Sequence, residues 1–270
     1  MCVSFVCRCA IENGGTLETY LSSVKTWLDV NPTDVVTLLI VNSDDLAAST
    51  FATAFQTTRL SSLAYAPGTA ALSKSAWPTL SALISTRKPL VVFIDNSADV
   101  STVPYILPHF SNTWENPYGQ TSTPFNCSVD RIDAGSPAGN LMYLVNHYLD
   151  TSFTLFGTTV YVPDTAKLST TNSVASVMAD ADNCASLHGG VYPTYVLTDF
   201  YDVGGGSVFE AAARMNGVQY TARAVGSATK GGAGSGSKSS AAVGAKVGVG
   251  AGAVALVAVT LALALASTLL

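Results

Sequence analysis

Asp95, His147 and Asp199 are residue types that can exchange a proton or orient a partner that does, and each stands where an aliphatic run gives way to polar side chains. The run DVVTLLIVNSDD, Asp34–Asp45, breaks at Asn42. PLVVFIDN ends at Asp95 and Asn96, NLMYLVNH at Asn146 and His147, and YVLTDFYDVG carries Asp199 and Tyr201. Asp199, His147 and Asp95 are therefore the catalytic candidates, with Asn42, Asn146 and Tyr201 as hydrogen-bonding groups for a substrate.

Positioning these residues is the work of the elements around them. A strand apolar along its whole length, rather than at alternate positions, is covered on both faces, as in parallel α/β sheets. In an α/β barrel the carboxyl ends of all strands point to one face, which carries the chemistry. Helices fill the intervals. Thr16 caps a predicted helix with Leu17, Tyr20, Leu21, Val24, Trp27 and Leu28 inward, ended by Asn31-Pro32. A second runs from Ser49 to Leu60 with Phe51, Ala54 and Phe55 inward, and a third follows Trp77-Pro78 with Leu80, Leu83 and Ile84. Asn172–Ala185 (Val174, Val177 and Met178 inward) and Val208–Met215 are two more, the latter closed by Asn216-Gly217. Thr158–Val162 is a weaker strand. Ser97–Asn140 reads as irregular, with His109, Trp114, Tyr118 and Phe125 in a segment long enough to serve as a substrate lid. Strong strands begin at 35, 90, 141 and 195, intervals of 55, 51 and 54 residues. A barrel unit needs roughly 30, so extra weak strands or long loops are expected between them.

Composition removes one class of partner. Among 270 residues 11% are charged, the net charge is −5, and Lys and Arg occur singly, which leaves no basic stripe for nucleic acid. Cys2, Cys7 and Cys9 lack the second half of a zinc motif, so no zinc site is expected there; no cofactor is predicted, and the sequence leaves metal dependence open. Asn126-Cys127-Ser128 is an N-glycosylation acceptor in a chain that enters the secretory route, and there Cys127 and Cys184 are expected to pair.

The last 45 residues have a separate logic. Residues 226–246 are a Gly/Ser/Ala-rich linker, and Val247–Leu270 is a charge-free apolar run of 24 residues. Small residues, a spacer and an apolar tail match the signal for a glycosylphosphatidylinositol anchor, with Ser239 or Ser240 as the attachment site. The expected location is the cell surface, anchored to the plasma membrane or cell wall; a single-pass membrane protein is the alternative. Met1–Asn13 is unlike a signal peptide, so the two ends disagree, and the expectation is that the sequence lacks its true N-terminal part.

Gly15–Asn42, GTLETYLSSVKTWLDVNPTDVVTLLIVN, with LVVFIDN, LMYLVNH and VLTDFYDVG, resembles the secreted fungal relatives of phosphatidylinositol-specific phospholipase C. The resemblance covers roughly Cys9 to Val225. It implies a distorted barrel of parallel strands and hydrolysis of a lipid or glycerophosphodiester, using two histidines as acid and base and positive charge near the phosphate. The family's first histidine motif, of Thr-His-Asn-Ser type, is absent here. Its second, of Cys-His-Thr-Ser-Cys type, aligns its last Cys with Cys9 and its His with Val6. Asp199 matches an acidic position that orients a catalytic histidine in relatives. His109 and His188 receive no role.

The predicted architecture is thus an incomplete TIM-type (β/α) barrel over 14–225 that lacks its first strands, between an atypical 1–13 and the linker and tail. The predicted function is a phosphoric diester hydrolase family member that lacks catalytic competence as written. Two alternatives remain open: a noncatalytic surface glycoprotein binding a sugar or lipid head group, and a glycosidase using Asp95 and Asp199, whose carboxyls would stand about 5 to 10 Å apart.

Overall fold

The computed structural model describes residues 15–222 and Val225. Cys2, Cys7, Cys9, Val6, Ser239, Ser240, the linker and the apolar tail lie outside the described residues. No described helix is long and apolar enough to cross a membrane.

Helix α1 (Leu17–Val30) begins at Thr16, whose hydroxyl accepts from the Thr19 N–H at 3.2 Å, and ends where the Asn31 N–H donates to the Trp27 carbonyl. Leu17, Leu21, Val24 and Leu28 fill its buried stripe. Tyr20, expected inward, is exposed, because those four residues already cover the contact. Strand β1 (Val36–Ile40) follows, then α2 (Ala48–Thr57), α3 (Leu80–Ser85) and β2 (Leu90–Ile94).

Strands β1 and β2 are parallel, with Val36 opposite Leu90 and Ile40 opposite Ile94, and β3 (Ile106–Pro108) adds to the far side of β2. Their outer face, Leu38, Leu90, Val92, Ile94 and Ile106, packs against α1 and α2 through Leu21, Leu28, Phe51 and Phe55. The opposite face, Leu39, Val91, Phe93 and Leu107, shares a core with Met142, Leu144, Tyr195 and Leu197 of a second sheet. Burial on both faces is the physical reason central β2 is apolar throughout, whereas β1 at the edge is only partly buried and includes Thr37.

The second sheet is also parallel, in the order β4 (Thr113–Glu115), β5 (Met142–Asn146), β8 (Tyr195–Leu197). Its outer side is covered by α5 (Val174–Leu187) and α6 (Ser207–Met215), which pack with Val196 through Val177, Ala181, Val208, Ala211 and Met215. A disulfide between Cys127 and Cys184, with Cα atoms 5.4 Å apart, ties the loop after β4 to α5. Tyr195 of β8 also hydrogen-bonds Thr37 of β1, opposing the burial that pushes its phenol up to about 12. The edge strands of the two sheets therefore face each other across the shared core.

Among the described residues the fold is a parallel α/β arrangement of two three-stranded sheets, without a closed barrel. Two expectations are corrected. Ser97–Asn140 is not simply irregular: it holds β3 and β4, short strands whose period-2 signal is too brief to read, and Trp114 and Phe125 are packed in the interior. Thr158–Val162 is a strand, β7 (Thr158–Pro163), but it pairs antiparallel with β6 (Asp150–Leu155) as a separate hairpin. A short helix, α4 (Leu168–Thr171), leads from the hairpin to α5.

Candidate functional site

The carboxyl ends of the six parallel strands form one continuous arc, traced by hydrogen bonds between the residues that end them. The Asp95 N–H donates to the Ile40 carbonyl at 3.0 Å, the His109 N–H to Ile94 at 2.8 Å, and the His147 N–H to Leu197 at 2.8 Å. His109 Nε2 lies 2.8 Å from Glu115 Oε1, which joins the first sheet to the second. These bonds join neighbouring strand ends, and the side chains there divide into those consumed by contacts within the fold and those with few such contacts.

Most of the sequence-selected residues belong to the first group. Asn42 is buried and closes the turn after β1: its Nδ2 donates to the Leu46 carbonyl and to Asn96 Oδ1, and its Oδ1 accepts from the Leu46 N–H. Asp95 Oδ1 accepts from the Asn42 N–H at 2.8 Å, pinning β2 to β1. Asn146 takes its backbone N–H to Asn116 Oδ1 and its amide to the Asn116 carbonyl, with Glu115 Oε2 at 3.5 Å. Tyr201 packs edge-on to Phe209 of α6. His147 is fully buried. Its Nδ1 is 2.8 Å from Asp180 Oδ2 and its Nε2 is 2.8 Å from the Thr171 carbonyl, with the Phe125 ring edge-on to it. Both ring nitrogens thus face acceptors inside the protein, and the imidazole clamps β5 to α4 and α5.

Residues at the mouth that the sequence did not single out are Glu115, Arg131, Tyr148 and Asp150. Glu115 ends β4 and is buried. Burial alone would raise its carboxyl, but His109, Arg131 and the Asn146 amide outweigh that and hold it below the ordinary range. Arg131 Nη1 lies 3.3 Å from Glu115 Oε2, and the guanidinium stacks over the Phe110 and Tyr118 rings at 4.5 and 5.5 Å from their centroids. About a third of the Arg131 side chain stays exposed, enough to reach an anion.

Asp150 opens β6 directly after the end of β5. Its backbone N–H donates to the Gln120 carbonyl at 2.9 Å, and it is buried. Burial and then the neighbouring Asp199 charge push its carboxyl up to about 6. Asp199 is itself raised by burial. Between them Tyr148 is raised by burial first and then by Asp150, Asp199 and Glu115. Two acids raised by burial, Asp150 to about 6, beside a phenol and a guanidinium, make a group able to exchange protons at an anionic ligand. Of the sequence-selected residues, Asp199 is the one that joins it. Beyond Asp199 the chain turns through Gly204, Gly205 and Gly206 at φ of 102°, 66° and 92°, and a Cβ at Gly204 would collide with Ser207 Oγ.

Asp150 was within reach of the sequence. HYLD continues the polar break that begins at Asn146, and only the assumption that the strand's functional end stops at His147 hides it. Glu115 and Arg131 had no such signal, since they meet through a backbone bridge sixteen residues apart in a loop-like stretch. Among the described residues no group of three or more His, Cys, Asp or Glu side chains is arranged to hold a metal ion.

The sequence model of the family described as PI-PLC X 1 matches residues 1–216. Two relatives from Arthroderma benhamiae are similar to the chain. One, named "Uncharacterized secreted protein", is 38% identical over 228 residues, covering 82% of this chain and 51% of its own length. The other, named PI-PLC X domain-containing protein 1, is 40% identical over 215 residues, covering 78% of this chain and 68% of its own length. The chain thus spans about half the length of the first and two thirds of the second. No solved structure matches.

Proposed function

The chain belongs to the PI-PLC X family, and from that premise we propose that it is a phospholipase-C-like phosphodiesterase domain, an incomplete barrel. We propose further that it receives a phosphodiester head group at the carboxyl-end mouth and does not hydrolyse it in its 270-residue form. One observation supports the second half: each of the chain's three histidines has a ring nitrogen held by an acceptor within the fold. His147 is bound on both nitrogens. His109 is held by Glu115 and enclosed edge-on by Phe93 and Phe110. His188 Nε2 lies 2.7 Å from the Cys127 carbonyl, with its ring against Trp114. Attack by a neighbouring hydroxyl needs a base to take its proton and an acid to protonate the leaving oxygen; His147 has both nitrogens occupied, His109 keeps only a buried Nδ1 without a partner among the described residues, and His188 is held through Nε2. Arg131 supplies the positive charge for the phosphate, while Asp150 and Asp199 accept hydrogen bonds from the hydroxyls of the head group.

The test is paired. The purified chain is incubated with phosphatidylinositol vesicles and with glycerophosphodiesters, and binding of glycerophosphoinositol is measured by calorimetry for the wild type and Arg131→Ala. No turnover, with binding that the substitution weakens, is the expected result; measurable turnover refutes the loss of competence.

A second reading, a noncatalytic surface glycoprotein that binds a sugar, is favoured by Asn126, which is exposed and whose Oδ1 accepts from the Ser128 N–H within the acceptor triplet. It predicts sugar binding unaffected by Arg131→Ala. Export is supported by the secreted relative and by the disulfide. The anchor at Ser239 or Ser240 is tested by the mass of the mature C-terminal peptide; a retained Val247–Leu270 would refute it.

A further inference from the structure

The β6–β7 hairpin has no part in the function proposed above, and its side chains are sorted in an unusual way. Paired residues of an antiparallel ladder point to the same face. The observed register, Thr151 with Val162, Phe153 with Val160 and Leu155 with Thr158, therefore puts Phe153, Leu155, Val160 and Val162 on one side. The other side carries Asp150 with Pro163, Ser152 with Tyr161, and Thr154 with Thr159. On that second side the Tyr161 ring lies over the Gly119 backbone and is itself 47% exposed. Toward the tip the apolar side has little cover: Val160 and Val162 are half-buried, but Phe153 and Leu155 are each 49% exposed and Phe156 at the tip is 91% exposed.

The tip itself is the second observation. Phe156 and Gly157 form a two-residue turn with φ of 47° and 82°. Turns of that kind favour Asn, Asp or Gly at both positions, and a bulky aromatic in the left-handed region is uncommon. The chain holds a phenylalanine there at a conformational cost and aims it into solvent. From Thr151 to Val162 the twelve residues contain no charge.

We infer that this hairpin is an insertion device for a lipid surface, seating Phe153, Leu155 and Phe156 in the interfacial layer of a bilayer. Aromatic and aliphatic side chains among hydroxyls, without charge, suit the zone between head groups and acyl chains. A protein partner of ordinary specificity would be met by charged groups on the rim of the patch, and the face that holds Phe153 and Leu155 carries no charge, its polar groups being the hydroxyls of Thr151 and Thr158. Continuity of the chain adds a further argument. The 24-residue uncharged run Val247–Leu270 is long enough to enter a bilayer and follows a Gly/Ser-rich linker at 226–246. Retained, or exchanged for the anchor proposed at Ser239 or Ser240, that run brings the chain to a membrane surface. Because β6 grows out of β5, insertion of the tip turns the mouth formed by Asp150, Asp199 and Arg131 toward the head groups.

The full chain is reconstituted with phosphatidylcholine vesicles that contain brominated acyl chains, and Phe156→Trp is compared with Leu187→Trp. Leu187 is exposed at the end of α5, where the chain returns to the start of β8, at the opposite end of the strands. The expected result is vesicle-dependent blue shift and bromine quenching of the Phe156→Trp signal, with the Leu187→Trp signal unchanged. Adding Phe153→Ser to Phe156→Trp lowers the ratio of inserted to free tips roughly tenfold, the ratio set by transfer of one large apolar side chain. A tip that stays water-exposed with vesicles present overturns the inference. So does a blue shift that depends on protein concentration without lipid, which would assign the face to a second copy, or quenching confined to phosphatidylinositol-containing vesicles, which would assign contact to the mouth. Insertion into pure phosphatidylcholine does not depend on head-group binding, so this test can fail or succeed apart from the proposed function.

Discussion

Replacing Asp150 by an asparagine tests whether the mouth of the parallel strands holds an acid that the fold resists ionising. The carboxyl is buried beside Asp199, has no hydrogen-bond donor among the described residues, and moves from 3.8 to about 6. Between those values the folded chain keeps a proton that the unfolded chain has released, so stability falls as pH rises through the window. A rise of about two units corresponds to about 3 kcal/mol at 1.36 kcal/mol per unit, reached above pH 6 and absent below 3.8. A neutral amide in its place has no charge to bury, so Asp150→Asn should stabilise the protein by about 2–3 kcal/mol at pH 7.5 and by nearly nothing at pH 3.5. In urea titrations, with a slope near 2 kcal/mol/M, the midpoint at pH 7.5 moves up by about 1 M. Equal effects at both pH values would mean that the gain comes from packing, and destabilisation at pH 7.5 would mean that the carboxylate is paired. Either result refutes the account of the mouth.

Glu115 behaves in the opposite sense: its carboxyl is held below its ordinary range, so its contribution is present above that range and lost as pH falls through the lowered value. Glu115→Gln should therefore flatten the acid limb of the stability profile, and a limb identical to the wild type's would contradict the Glu115–His109–Arg131 pairing. Removing Asp180, the partner of His147 Nδ1, leaves a buried imidazole with one acceptor gone, and Asp180→Ala should cost about 3–5 kcal/mol in urea unfolding; a change under 1 kcal/mol would free His147 for another role. Reducing the Cys127–Cys184 bond, which closes a loop of 57 residues, should cost about 4 kcal/mol on chain-entropy grounds, read as a loss of melting temperature in reductant that the Cys127→Ser, Cys184→Ser pair does not show.

The parts of this fold legible in the sequence are those where one periodicity runs long enough to outvote its neighbours. The helix behind Thr16, the strands of β1, β2 and β5, and the helix closed by Asn216-Gly217 all announce themselves through apolar spacing and a stop residue. β3 and β4 are three residues each, below the length at which alternation can be told from chance, and they draw their stability from neighbours instead. The site follows the same division. Apolar runs tell where strand ends fall, so Asn42, Asp95, Asn146, His147 and Asp199 were all placed at the common mouth. What a strand-end residue does there depends on which donors and acceptors the tertiary fold brings to it. Asn42 meets Leu46 and Asn96, and His147 meets Asp180 and the Thr171 carbonyl, contacts that no spacing encodes.

His147, Asp150 and the hairpin follow one another along a single stretch of chain, and their order has a mechanical consequence. The imidazole is clamped on both nitrogens within the interior, so β5 is fixed at its carboxyl end. Three residues later Asp150 stands at the base of β6, its N–H tied to the Gln120 carbonyl, while the Asp164 N–H after β7 returns to the Leu149 carbonyl at 2.8 Å. The hairpin is therefore held at its root by backbone bonds on both strands and free at its tip. A rigid root is what lets a tip seated in lipid orient a mouth, since two strands on a flexible stalk would bind a surface without fixing the domain's angle to it. It also places the raised Asp150 carboxyl at the junction. A membrane surface lowers the local dielectric constant and carries negative head groups, both of which favour the protonated form of a carboxyl. Docking should then raise Asp150 further, leaving it a neutral partner whose carbonyl oxygen still accepts from a head-group hydroxyl, rather than a charge that repels the phosphate held by Arg131.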